Sequence, residues 1–265
     1  TLDKALADIE RQKNTIHDLQ ERIAGSQGIK QQILETWLDK ARINLLEQGI
    51  AFVEKVEAKL KGGDIKKESY RREAEKIVNE QYKLASTVTN SIQKKVKLPE
   101  PDSSAAEKAG AFSKTFVQLE SIQRVVQVQM KNLELAENFK LEVAEHKQSL
   151  VKSLSDRAVG ISILLDSMMD DIVSFSASAD VLPDDEQLAS NLNVTKQLAK
   201  RLAESLDNQL DIMNSLGMET VAYRELVLRA TGEITTDVLG GGVGTRLLAA
   251  WGKRLWNSVV DNGPD

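Results

Sequence analysis

Residues 188–216 read LASNLNVTKQLAKRLAESLDNQLDIMNSL, and their spacing decides the fold class. Leu188, Leu192, Thr195, Ala199, Leu202, Leu206, Gln209, Met213 and Leu216 follow one another in alternating steps of 4 and 3. On an α-helix these positions fall on one narrow stripe, the seam of a coiled coil. A helix cannot bury such a seam alone, so other helices must lie along it. The chain is therefore expected to be all-α, an elongated antiparallel coiled-coil or helical bundle of five to seven helices.

The same rhythm returns upstream. Leu2, Ile9, Ile16 and Ile23 fall seven apart, with Leu6 and Leu19 beside them, before Gly25, Ser26 and Gly28 end the helix. A second helix is expected from about Ile29 to Lys61, with Ile33, Trp37, Ala41, Leu45, Phe52, Val56 and Leu60 near one face. A helix of that length is a rod of roughly 50 Å. Gly62-Gly63-Asp64 reads as stop, turn and N-cap. A third helix to about Lys97 carries Tyr70, Ala74, Ile77, Gln81, Leu84 and Val88 in heptad spacing, and so short a turn implies an antiparallel hairpin.

Pro99 and Pro101 make a linker, and Ser104 with Glu107 forms a capping box for the next helix. That helix carries Phe112, Phe116, Leu119, Val126, Met130, Leu133 and Leu141. It is expected to continue past Leu150 to near Ala179, with Gly160 as a candidate interruption. Pro183 marks the next break, and Asp184 with Gln187 resembles another capping box before the heptad run, which Gly217 stops. A shorter helix, about Glu219 to Ala230, precedes the Gly240-Gly241-Gly242-Val243-Gly244 cluster. A last helix, about Thr245 to Val260, carries Leu247, Leu248, Trp251, Leu255, Trp256 and Val259. These breaks divide the chain into a helical hairpin region (1–97), a linker (98–104), a second helical region (105–232), and a Gly-rich hinge with an amphipathic helix (233–265).

Composition agrees with thin helical seams: aromatic residues make up only 4% against 41% hydrophobic and 28% charged, too few for a thick globular core. The net charge of −5 comes without a basic block interleaved with aromatics, so no nucleic-acid partner is expected. With no cysteine there is no disulfide, thiolate metal site or Cys nucleophile, but the compartment stays open between periplasm and cytoplasm. No run of 18 apolar residues occurs, so nothing here spans a bilayer. The chain opens at Thr1 and closes on Asn262-Gly-Pro-Asp265, which reads as a processed or excised fragment.

Chemistry finds little support. His17, with Glu21 four residues on, and His146, with Glu142 four before, both read as surface histidines beside a carboxylate; neither has the paired-His spacing of a zinc site. Asp170-Asp171 reads as a solvated face, and Asp184-Asp185-Glu186 as charge placed at a helix start. Gly240 to Gly244 before Thr245 lacks the Gly-Lys-Ser/Thr ending of a phosphate loop and reads as a hinge. Gln118, Gln123, Gln127 and Gln129 read as a polar helix face. No catalytic residue, metal ligand or cofactor is expected, and the chain reads as non-enzymatic. Trp251 and Trp256, with Arg246, Lys253 and Arg254 among them, suit either a membrane interface with lipid headgroups or a helix docked on protein.

The stretch from about Tyr223 onward, Leu226-Val-Leu-Arg-Ala-Thr-Gly-Glu-Ile-Thr-Thr-Asp-Val-Leu239, then the Trp-bearing helix, then Asp261-Asn-Gly-Pro264, resembles the segment before the membrane domain in small-conductance mechanosensitive (MscS-like) channels with a large N-terminal periplasmic extension. The resemblance covers about forty residues. The family's pore helix and cytoplasmic vestibule lie outside this chain. The resemblance implies a non-catalytic periplasmic domain of an inner-membrane ion channel. Its partners would be the membrane domain of the same protein and neighbouring subunits of a homo-oligomer, a heptamer in that family. It also implies a hinge at Gly240, Gly241, Gly242 and Gly244, and membrane-proximal roles for Arg246, Trp251, Lys253, Arg254 and Trp256. The alternative is a soluble coiled-coil adaptor or tether that binds a partner helix, to which the polar seam positions Thr195 and Gln209 would suit exchangeable helices.

Overall fold

The computed structural model describes residues 1–64 and 68–235. Among the described residues the chain is all-α, with seven helices and no strand, as the periodicity predicts. They are α1 (Leu2–Ala24), α2 (Gly28–Lys61), α3 (Glu68–Lys95), α4 (Ala105–Asn138), α5 (Ala144–Val181), α6 (Glu186–Ser215) and α7 (Val221–Thr235).

The helix starts follow side-chain chemistry. Thr1 Oγ1 accepts from the Lys4 N–H at 3.2 Å. Ser104 and Glu107 form the expected reciprocal box: the Ser104 N–H donates to Glu107 Oε2 at 3.0 Å and the Glu107 N–H donates to Ser104 Oγ at 3.2 Å. At α6 the cap is one residue later than predicted. Asp185, not Asp184, accepts from the Leu188 N–H at 3.0 Å.

The helix ends explain the largest correction. After α2, Gly63 adopts φ +71°, its N–H donates to Leu60 C=O at 3.3 Å, and the Asp64 N–H donates to Lys59 C=O at 2.9 Å. This is a Schellman stop, which needs a left-handed residue and so favours glycine. Gly217 ends α6 the same way. α4 ends with the same pair of bonds, Lys140 N–H to Glu137 C=O at 3.0 Å and Leu141 N–H to Ala136 C=O at 2.9 Å, but with Lys140 at φ 59°. The single helix expected across Leu141 and Leu150 is thus two helices, and the break carries neither Gly nor Pro. Gly160 interrupts nothing. It lies inside α5, where an added Cβ would stand 3.0 Å from Leu119 Cδ2, so its bareness lets α4 come close.

The described residues pack as two compact units, those of Thr1–Lys94 with Ser121–Ser153, and those of Lys95–Glu120 with the stretch from Leu154 to Thr235. In the first unit, α1 runs antiparallel to α2: Gln12 Nε2 donates to Ala41 C=O at 3.0 Å, while Leu19 packs with Leu34, Leu38 and Ala41. α2 and α3 form the expected antiparallel hairpin, tied by Gln81 Nε2 to Leu46 C=O at 3.2 Å and Ser91 Oγ to Asp39 Oδ1 at 2.7 Å. One stripe differs from expectation. Leu34 and Leu38 face α1, which leaves Ile33 and Trp37 at 46% and 48% exposed. In the second unit, Thr195, Ala199, Leu202, Leu206, Gln209 and Met213 are all buried, as the heptad requires. α7 packs antiparallel on α6, with Arg224 Nη2 3.4 Å from Asp211 Oδ1 and Thr220 Oγ1 donating to Asn214 Oδ1 at 3.3 Å.

Candidate functional site

α5 has a heptad stripe of its own: Leu150, Leu154, Arg157, Ile161, Leu164 and Met168, all buried. Five of the six are apolar, and the sixth is a guanidinium. Arg157 is 0% exposed and heads the largest fully buried side chains of the described chain. A charge placed so deep persists only when its donors are met. Arg157 Nε donates to Leu119 C=O in α4 at 3.2 Å, and Nη1 donates to Gln209 Oε1 in α6 at 2.7 Å. Nη2 donates to Ser205 Oγ in α6 and lies 3.5 Å from Glu120 Oε1. Gln209 in turn donates from Nε2 to Leu154 C=O at 2.8 Å.

The electrostatics follow from this geometry. Burial pushes the Arg157 pKa down to about 10, against the pull of Glu120, so the group stays a cation near neutral pH. Its donors are turned onto atoms of α4 and α6. The arrangement is a charged clamp across three helices of the second unit. Nearby, Lys108 Nζ holds Asp171 Oδ1 at 3.1 Å with both side chains mostly covered. Asp171 is therefore a buried ion-pair member rather than part of the solvated face expected for it.

A second polar centre lies in the first unit. His146 is buried, not the surface residue predicted, with Nδ1 2.9 Å from Asn132 Nδ2. Beside it Ser149 Oγ donates to Tyr82 C=O at 3.2 Å and accepts from Gln129 Nε2 at 2.9 Å. Gln129 thus leaves the polar face proposed for the glutamines and joins the core. His17 sits as expected, exposed and 3.1 Å from Glu21.

Comparison with protein-family models, with curated proteins and with solved structures returns no match.

The hinge residues Gly240, Gly241, Gly242 and Gly244 and the membrane-proximal residues Arg246, Trp251, Lys253, Arg254 and Trp256 lie outside the described residues. Among the described residues no helix is long and apolar enough to cross a membrane, and no group of His, Cys, Asp and Glu is placed to hold a metal ion. Sequence reasoning passed over Arg157, although its signal was present: it occupies a seam position in α5 as Gln209 does in α6. Two polar residues, one in each seam, are what a cross-helix clamp requires.

Proposed function

We propose that the chain is a non-catalytic periplasmic domain of a mechanosensitive ion channel of the MscS-like type, carried on an inner-membrane protein. In this reading the domain scaffolds the pore entrance or modulates gating through its long helices, within a homo-oligomer that is heptameric in that family. The observation that carries it is the placement of the resembling stretch. The stretch begins in α7, which is packed on α6 with Leu226, Val227 and Ala230 buried. A pull on the residues after Thr235 would therefore enter α6 and reach the clamp at Arg157, Ser205 and Gln209. The Gly240–Gly244 segment would set how much of that pull arrives, and Trp251 and Trp256 with Arg246, Lys253 and Arg254 would rest against lipid headgroups.

The test is electrophysiological. Replacing Gly240, Gly241 and Gly242 by alanine in the intact protein is expected to shift the membrane tension at which it opens. A channel whose threshold does not move counts against the coupling, and a parent protein with no pore-forming segments ends the reading.

A second reading, a coiled-coil adaptor that binds a partner helix, draws on a groove of about 720 Å³ in the first unit. Ile50, Ala51, Val128 and Met130 line it, and the Glu47–Arg124 and Glu54–Lys131 ion pairs flank it. The seam position Gln209 no longer speaks for this reading, since its amide is engaged by Arg157 and Leu154 within the chain. Co-sedimentation of residues 245–261 with liposomes separates the two readings.

A further inference from the structure

His146 is a buried titratable side chain that the reading above leaves unused. It is 4% exposed, near the start of α5. Its Nδ1 lies 2.9 Å from Asn132 Nδ2 in α4. The same Nδ2 donates to the Val78 carbonyl in α3 at 3.2 Å. A carbonyl oxygen only accepts, so Val78 fixes the Asn132 amide with its nitrogen towards both partners. His146 Nδ1 must then be the acceptor, and the imidazole proton sits on Nε2. Asn132 Oδ1 is buried with no hydrogen-bond partner.

We propose that His146 is a proton-sensitive latch that, through Asn132, ties α4 to α3 when neutral and releases that tie when protonated. Protonation places a hydrogen on Nδ1, and two donors then face each other across 2.9 Å with no acceptor between them. The relief within reach is a half-turn of the Asn132 amide. Oδ1 then accepts from Nδ1–H in a charge-assisted bond between α4 and α5. The Val78 carbonyl loses its side-chain donor, and Nδ2 turns to the side where Oδ1 had no partner. α4 thus exchanges its hold on α3 for a stronger hold on α5.

The surrounding groups set the direction of the response. From α3, Tyr82 meets the imidazole edge-on, with ring centroids 5.0 Å apart at 73°, and Lys83 Nζ lies 5.9 Å from the Tyr82 ring. From α5, Glu145 is bonded to the Tyr82 hydroxyl and favours the imidazolium. From α4 comes the uncharged Asn132. Burial outweighs Glu145 and holds the His146 pKa below its ordinary value. The unfolded chain therefore binds the proton more readily than the folded one. The latch is at full strength above about pH 6.5 and weakens as pH falls from there through the folded value.

Hydrogen–deuterium exchange on the whole chain, at about pH 7.5 and about pH 5.5 with intrinsic rates divided out, reads the latch directly. Peptides covering 76–84 and 128–138 are expected to lose protection in acid. At about pH 5.5, about one unit below the ordinary value, the loss is bounded at roughly tenfold, and it is smaller the closer the folded pKa lies to the ordinary one. His146→Gln, which keeps a polar side chain but does not titrate, is expected to abolish that response. Equal protection at the two pH values, or an unchanged acid response in the variant, overturns the proposal. Nitrogen-15 spectra of the wild-type imidazole give a readout that needs no variant. A bare Nδ1 with a midpoint below about 6.5 supports the latch, whereas a protonated Nδ1 at high pH or a midpoint above that value overturns it.

Discussion

Replacing Arg157 by methionine removes the clamp of the second unit while keeping most of the side chain's apolar stem. The wild-type group makes three donated bonds, to Leu119 C=O, Gln209 Oε1 and Ser205 Oγ. Bonds from a charged donor contribute about 1.5–3 kcal/mol each. Those values are already net of the water that each donor gives up, and the burial that lowers the Arg157 pKa places these bonds at the low end of the range, about 1.5 kcal/mol each. A loss of about 4 kcal/mol is therefore expected for Arg157→Met in equilibrium urea unfolding, read as a lower midpoint at constant slope. Glu120 changes little in the variant because it is already 44% exposed and keeps its hydration. Gln209→Leu in the Arg157→Met background removes the stranded acceptor, so the double variant is expected to be more stable than the sum of the single losses, with a coupling of about 1 kcal/mol or more. An Arg157→Met protein as stable as wild type would refute the reasoning. It would mean that desolvation cancels the bonds, as happens in buried ion pairs that apolar residues replace without loss.

Four further outcomes follow from named positions. Lys140→Gly relieves a left-handed lysine at the end of α4 and is expected to raise stability by up to about 1 kcal/mol in the same urea assay, the gain being trimmed by the greater freedom of glycine in the unfolded chain. Gly110→Ala meets no atom within 4 Å in the second turn of α4 and is expected to stabilise by up to about 1 kcal/mol. Gly49→Ala is expected to lose stability, because its Cβ would press on Gln81 Nε2 and on Ile77 Cγ2 and displace the bond from Gln81 to Leu46 C=O. Leu202→Asp puts an unpaired carboxylate at a fully buried seam position and is expected to cost several kcal/mol, on the order of 3–5; an unchanged thermal melting curve would contradict the seam assignment.

Most of the helices were legible because their signals are local. A seam needs only a period, and the 4–3 steps of α6 name six consecutive buried positions from Thr195 to Met213. Caps need only a side chain and a spacing, as at Ser104 and Glu107. The misses share a cause. At Phe139–Val143 the backbone turns through a left-handed lysine, and a lysine announces no turn. The two backbone bonds that close α4 hold Lys140 in a conformation its own preference opposes. In the first half of α2 the sequence offers two adjacent apolar stripes, Ile33 with Trp37 and Leu34 with Leu38. Periodicity cannot choose between them, because the choice belongs to α1, where Leu19 meets Leu34 and Leu38.

The polar centres were hidden for a related reason. His146 and Asp171 each stand next to residues that make a solvated face plausible, Glu145 in one case and Asp170 in the other. What buries them is a partner distant in sequence, Asn132 for the histidine and Lys108 for the aspartate. Arg157 sits within Ser153-Leu-Ser-Asp-Arg-Ala158, which by composition is a polar stretch, yet its place in the step from Leu154 to Ile161 is a core place. The physical rule that joins these cases is that position on the stripe decides burial, and residue type decides only what burial then demands. An apolar side chain demands area, and a polar one demands a specific partner. Reading polar residues at seam positions as requests for partners on neighbouring seams would have paired Arg157 of α5 with Gln209 of α6.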